Sequence, residues 1–347
     1  TSSLWLLCRV VKRAKAFFLR DQEILSAFFF FGFSSYFSTN RTWAVMSTQD
    51  VQMEMVSPLK NVQIAPAIVH VFDGTGDVNG PFGNTSFKQP RYLSHGKKRE
   101  LFVSNFQDGI YVVDLENCKV THVNGTEGPG RLLWGVSYDY KRSSIIASDA
   151  RKGTKRHYVL NIANTGRITM ISDGFYFPRG VAVNSDGFRV VADNVGIYEL
   201  PDMGEKKSSS KWFSRTPSKK LLANIVASDM CFTTKDQLIV ATVTATKSTI
   251  QAVALNGALE ETLLTLGGKK HIALSYASKR QVLYAVVQNT DEVYCIHMAT
   301  KAVLRIKLPE NFKTLTAIVT FGNNVYLFSG STLLQFGQDP IVAALMQ

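Results

Sequence analysis

The sequence predicts an all-β protein, a six-bladed β-propeller, and three observations carry the prediction. A glycine-punctuated strand pattern returns about every 44 residues, clearest in FPRGVAVNSDGFRVVAD at 177–193 followed by GIYEL at 196–200. Aligned on the ends of their second strands, Asn105, Asp149 and Asp193 stand 44 residues apart. Val, Ile, Tyr and Phe dominate the runs between turns, as a pleated, half-buried surface favours. A period of this length marks an array of small sheets. Such arrays close into a ring, and the loops and central channel decide what the ring does.

Each unit reads as an inner strand begun at a proline or glycine, a turn, an apolar second strand ending in a small or acidic residue, a second turn and a third strand. Residues 87–93 with 101–105 open the first, Trp134-Gly-Val-Ser137 opens the second, and 177–200 make the third. Residues 228–232 and 237–242 make a fourth, with extra length in the polar stretch 203–220. The fifth comprises 271–274, 281–287 and 293–297; the sixth, 315–319, 324–328 and 332–336, lacks an outer strand. Residues 66–72, PAIVHVF, form a strand without a unit of its own. Paired with 332–336 it closes the ring and leaves no exposed seam. The expected layout is a propeller over residues 60–347 and a non-propeller tail over 1–59.

Composition agrees with one large domain. At 45% hydrophobic residues and a mean hydropathy near zero the chain is globular and not a polytopic membrane protein. A propeller runs long as a single unit because each blade adds its own layer of core. Cys8, Cys118, Cys231 and Cys295 are scattered with no C-x-x-C pair, and three fall in or beside strands. That usage leans towards a reducing compartment, although Asn84-Thr-Ser86 and Asn124-Gly-Thr126 are glycosylation sequons if the chain is secreted.

The tail has two readings. Arg9, Lys12, Arg13, Lys15 and Arg20 precede an apolar run at 24–37, the pattern of a secretory signal or short membrane anchor. The run is shorter than the roughly 20 residues needed to span a bilayer. In the second reading translation starts at Met46 and the protein is cytoplasmic, the Phe- and Ser-rich run being translated pyrimidine tract.

The stretch 71–80 (VFDGTGDVNG), with 87–93 and 101–105, resembles the start of an NHL-repeat propeller. Pro178-Arg-Gly-Val-Ala-Val183 with Asp186-Gly187 and Val191-Ala-Asp193 resembles a second copy, and Trp134-Gly-Val-Ser137 a partial one. This resemblance implies the propeller fold; some NHL-like propellers bind single-stranded RNA on a basic face. Gluconolactonase-like and strictosidine-synthase-like propellers carry units similar to GVAVNSDG at 180–187. The lactonases hold a divalent metal with Glu, Asn and Asp, and Glu127-Gly-Pro-Gly130 resembles one of their motifs. It precedes the second unit, however, and no matching Asn and Asp set falls on the other inner strands. Amidating-lyase propellers use a zinc site with several His. Here His70, His95, His122, His157, His271 and His297 show no close ligand spacing, and His271 alone begins an inner strand.

Net charge is +12, of which residues 1–45 carry +4, leaving a basic domain. Clusters at Lys97-Lys-Arg99, Lys141-Arg142, Arg151-Lys152, Lys155-Arg156, Lys206-Lys207 with Lys211, Lys219-Lys220 and Lys269-Lys270 fall mostly in predicted turns, which are solvated surface or, summed on one face, an acidic-partner or RNA surface. Trp134, Tyr176 and Trp212 are candidate stacking planes.

Arg91 and Arg179 each follow a proline that starts an inner strand and lie 88 residues apart, twice the period. At the channel mouth they suit an anionic ligand or a peptide carboxylate; the alternative pairs each with an acid such as Asp149 or Asp193. The expected function is a non-catalytic binding scaffold that meets a protein partner through its loop face and channel mouth, without a cofactor. Arg91, Arg179, Trp134, Asn105, Asp149, Asp193 and His271 form the candidate mouth, and Trp212-Phe213 either a mobile binding loop or the outer strand of the third blade. The alternatives are a lactonase- or lyase-type enzyme with Ca or Zn in the channel, and a single-stranded RNA binder.

Overall fold

The computed structural model describes residues 59–347 except 73–79, 83–86, 88, 107, 129, 152–156, 202–218, 224 and 234–236. The chain runs through β1 (Lys60–Gln63), β2 (Ala67–Val71) and β3 (Gly80–Pro81) into blade 1, formed by β4 (Pro90–His95), β5 (Glu100–Asn105), β6 (Gly109–Asp114) and β7 (Lys119–His122). Blade 2 comprises β8 (Leu133–Asp139), β9 (Ser144–Asp149), β10 (His157–Ala163) and β11 (Ile168–Phe175). Blade 3 comprises β12 (Val181–Val183), β13 (Arg189–Asp193), β14 (Gly196–Glu199) and β15 (Lys219–Ala223). In blade 4 these places fall to β16 (Ala227–Phe232), β17 (Leu238–Val243), β18 (Lys247–Val253) and β19 (Leu259–Gly267). Blade 5 follows with β20 (Ile272–Ala277), β21 (Val282–Val287), β22 (Glu292–His297) and β23 (Val303–Lys307), and blade 6 with β24 (Leu315–Phe321), β25 (Asn324–Ser329) and β26 (Thr332–Gly337).

The six sheets are antiparallel meanders, and the sixth is completed from the other end of the domain. Strand β2 pairs antiparallel with β26, with Ala67 opposite Gln335 and Val71 opposite Thr332, as the orphan strand at 66–72 predicts. Its last contact is aromatic. Phe72 packs on Phe87 (ring centroids 4.7 Å apart), Phe82 (5.5 Å) and Phe328 (6.0 Å), a seam shared by blades 6 and 1.

Three features depart from the expected layout. Blades 1 to 5 each carry a fourth strand that the three-strand unit leaves unassigned. In blade 3 that place is held by β15, so Lys219-Lys220 lie in a strand and not in a turn. Strand β1 pairs parallel outside β23 and covers the outer edge of blade 5. The chain closes with a short helix, α1 (Asp339–Leu345), whose Ile341 and Leu345 are buried beside blade 5. Among the described residues no helix is long and apolar enough to cross a membrane.

The core lies between blades. The buried apolar residues fall into six clusters, each shared by two neighbouring blades. Strand β21, VLYAVV, is buried along its whole length because both its faces meet a neighbour. Val282, Tyr284 and Val286 face blade 6, and Leu283, Ala285 and Val287 face blade 4, as the two-residue period of a strand requires.

Side chains of one blade bond the main chain of the next. Ser94 Oγ accepts from the Tyr138 N–H (3.1 Å) and Ser275 Oγ from the Thr320 N–H (2.8 Å). Ser104 Oγ donates to the Trp134 carbonyl (2.6 Å) and Ser228 Oγ to the Ile272 carbonyl (2.9 Å).

Because Phe72 is buried at the closing seam, Phe72→Ala should cost about 3–5 kcal/mol of stability. Ile68→Ala on the same strand removes a side chain that is 55% exposed and should cost less than about 0.5 kcal/mol. Urea unfolding of the two variants compares these costs, and equal losses would show that closure does not depend on the aromatic seam.

Candidate functional site

Inner strands begin at one face of the ring, called the upper face below, and a backbone irregularity there presents side chains to the channel mouth. The pairing register shifts between Pro90 and Tyr92 in blade 1, between Leu133 and Val136 in blade 2, and between Leu315 and Ala317 in blade 6. A bulge re-aims the residue it contains, which here is Arg91, Trp134-Gly135 or Thr316. Blades touch closely at this level. A Cβ added to Gly135 would lie 2.2 Å from the Arg179 carbonyl oxygen, so only glycine fits.

The structure brings Arg91, Trp134, Arg179 and His271 together. The Arg91 guanidinium lies 5.5 Å from the Phe106 ring centre and 5.7 Å from that of Trp134. That of Arg179 lies 5.6 Å from Trp134 and 5.5 Å from Phe177. Both cations therefore rest against one indole, whose edges meet Phe106 at 4.8 Å and Phe177 at 5.6 Å. Arg179 Nη1 is 3.2 Å from His271 Nδ1. Burial, and then the charges of Arg179, Lys269 and Arg91, lower the His271 pKa from its ordinary value, so near neutral pH the ring accepts the arginine proton.

No carboxylate among the described residues forms an ion pair with Arg91 or Arg179. Arg91 Nε, Arg179 Nε and Trp134 Nε1 are buried without a hydrogen-bond partner. The acids offered by the alternative reading are engaged elsewhere. Asp149 holds Arg151 (3.2 Å) and Arg131 (3.7 Å). Asp193 accepts the N–H groups of Tyr176 (2.8 Å), Phe177 and Asn194 (2.8 Å).

Asn105 and Asp193 act on the mouth indirectly. Asn105 Oδ1 accepts the Gln89 N–H (2.8 Å), two residues before Arg91, and Asp193 takes the Phe177 N–H, two residues before Arg179. The same brace at the same point of two repeats fixes the segment that delivers each arginine. Trp212 and Phe213 lie outside the described residues.

Tyr92 and Asp229 were not foreseen. The Tyr92 hydroxyl donates to the Ser228 carbonyl, joining blade 1 to blade 4, which stand opposite in a ring of six. The phenol is therefore a bar across the channel, and its pKa is pushed up by burial and by Asp229. Asp229 Oδ2 accepts the Leu274 N–H at 2.8 Å, and burial pushes the carboxyl up to about 7. The signal was an acid in the otherwise apolar inner strand SDMCF at 228–232.

The basic turns divide between the faces. Lys97-Lys-Arg99, Lys141-Arg142 and Lys279-Arg280 follow inner strands and emerge below, while Lys269-Lys270 precedes β20 and lies above. Arg142 is held by Asp139 (2.8 Å) and Arg280 by Asp339. Tyr176, 69% exposed, is on the upper face, so it offers no stacking plane to the lower basic turns. Glu127 contacts His122 (3.5 Å) at the outer strand β7, away from the inner strands. Among the described residues no three His, Cys, Asp or Glu side chains converge as a metal site.

No protein-family description and no curated protein sequence matches the chain. Its structure is similar to a chain of the nidogen/laminin complex (TM-score 0.55, 16% identity, covering 71% of this chain and 90% of that one). It is also similar to the PQQ-bound aldose sugar dehydrogenase of Streptomyces coelicolor (TM-score 0.56, 12% identity, 78% and 97%). A gluconolactonase from Xanthomonas campestris is a further match (TM-score 0.52, 13% identity, 72% and 87%). At such identities the likeness establishes the six-bladed fold alone.

The buried Asp229 carboxyl makes stability depend on pH. It titrates at about 7 in the folded protein and at about 4 in the unfolded chain, so the folded state holds the extra proton between those values. The resulting stability is complete below about pH 4 and is lost as pH rises through about 7. Between about pH 5 and about pH 8 the wild type should lose about 2–3 kcal/mol more than Asp229→Asn does. Urea unfolding across that range measures the difference, and parallel curves would show that Asp229 titrates normally.

Proposed function

We propose that this propeller is a non-catalytic binding module that receives a carboxylate of a partner protein at the upper mouth of its channel. The observation that carries the reading is the pair of guanidiniums, Arg91 and Arg179, resting on Trp134 with no acidic partner among the described residues. A guanidinium fork matches a carboxylate in two parallel hydrogen bonds. His271 brings no negative charge to compete, since it accepts from Arg179. The resemblance of the strand units to NHL-repeat propellers supports a scaffold role. Tyr176 and Val195, both exposed on the upper loops, offer an apolar rim against which a partner chain packs.

The test is an array of peptides with free C-terminal carboxylates, each duplicated as its amide and probed with the full-length protein. Free-acid peptides should be retained selectively, and Arg91→Ala or Arg179→Ala should each weaken them about tenfold or more, the scale of one charge-assisted hydrogen bond. Circular dichroism and thermal unfolding check that each variant is folded. Equal retention of acids and amides, or undiminished binding by a folded double variant, would overturn the proposal.

A further inference from the structure

Below the Tyr92 bar the channel opens into a cavity of about 150 Å³, lined by inner-strand residues that include Leu93, Ser94, Val136, Ser137 and Ser275, with a mostly polar surface and the Asp229 carboxyl on its wall. A cavity of about this volume has room for one benzene-sized group. His95 and Tyr276 also line a wider vestibule of about 330 Å³ at the lower face, so the two spaces adjoin. Lys97 and Lys279 stand at its walls. The cavity thus has a carboxyl on its wall, a mostly polar middle and two ammonium groups outside.

Asp229 has no cationic partner among the described residues. The groups that face it are the Tyr92 phenol from β4 and the Cys231 thiol from its own strand, both held protonated by burial. Arg91 and Arg179 lie at the upper mouth. From blade 3, Gly180 makes room for the carboxyl, since a Cβ there would fall 2.9 Å from Asp229 Oδ1. In the vestibule His95 is kept towards its neutral form by burial and meets the Tyr140 hydroxyl. Lys97 binds Ser143 Oγ through one of its three ammonium protons and retains the others.

We infer that the lower channel is a second binding site, for a small amphoteric ligand: a primary ammonium seated on Asp229, a short linear stem along the cavity, and an anionic end between Lys97 and Lys279. The reach fits. Three residues separate Tyr92 from His95 along β4, about 10 Å of strand, and an extended ω-amino acid of medium length is of that order. Ammonium binding ionises Asp229 and so replaces its proton by the ligand's charge. Nothing in this site requires the upper mouth to be occupied.

The experiment uses three probes, 6-aminohexanoate, hexanoate and hexylamine, titrated calorimetrically into the full-length protein near pH 8. 6-Aminohexanoate should bind about tenfold or more tighter than either single-charge probe. Asp229→Asn, whose amide oxygen still accepts the Leu274 N–H, should abolish the advantage over hexanoate. Lys97→Ala with Lys279→Ala should abolish the advantage over hexylamine. If 6-aminohexanoate binds no tighter than hexanoate, or keeps its advantage in Asp229→Asn, the inference is wrong. A second readout avoids dependence on variants: in carboxyl-labelled wild type, 6-aminohexanoate should lower the apparent pKa of Asp229 by about one unit, and an unmoved titration overturns the assignment.

Discussion

Hydrogen bonds from the side chains of one blade to the inner-strand main chain of the next set the spacing on which the rest of this ring depends. At the junction of blades 2 and 3, Ser148 Oγ accepts from the Gly135 N–H at 2.8 Å and donates to the Arg179 carbonyl. One hydroxyl thereby fixes two inner strands, and Gly135 leaves the room they need. Ser228 does the same between blades 4 and 5, bonding both the carbonyl and the N–H of Ile272. These bonds satisfy polar groups that burial would otherwise leave unpaired. Where they hold, the next unit must begin at a fixed height on the channel, so the sequence period becomes a period in space.

That constraint explains why the upper mouth is cationic and aromatic together. Residues a period apart stand at the same height on adjacent inner strands, and residues two periods apart flank the blade between them. Arg91 and Arg179 flank blade 2, whose bulge presents Trp134 to both. The indole face attracts each cation, yet it gives no hydrogen bond to the guanidinium edges. Packing holds the arginines in place without neutralising them. The acids that might have done so brace the approach segments or pair with other arginines, as with Asp193 and Asp149.

The ring was legible in the sequence wherever neighbours in space repeat in the chain. The second strands ending at Asn105, Asp149 and Asp193, the closing strand at 66–72 and the paired positions of Arg91 and Arg179 all follow from period and alternation. Contacts that cross the ring do not repeat. Tyr92 reaches Ser228 over a sequence separation of 136 residues, and no spacing in the chain announces it. The outer edge was equally hidden: β1 and α1 cover blade 5 from segments outside the repeat, and β15 lies beyond a long polar insertion in blade 3. Asn105 and Asp193 were seen for their period, while their work as braces depends on backbone N–H groups that carry no residue identity.

The Tyr92 bar gives the channel its polarity. A channel open from end to end would place Asp229 within reach of the two guanidiniums, which would hold its carboxyl ionised and consume their own charge. The phenol, buried and bonded to the far blade, instead keeps a low-polarity layer between them. Burial then dominates the Asp229 pKa, and no arginine offsets it. The same layer leaves Arg91 and Arg179 cationic and unpaired above. Cationic charge above and a protonatable carboxyl below are thus kept apart on two sides of one ring, neither with an ion-pair partner among the described residues, and a ligand's access to either is set by the face from which it approaches.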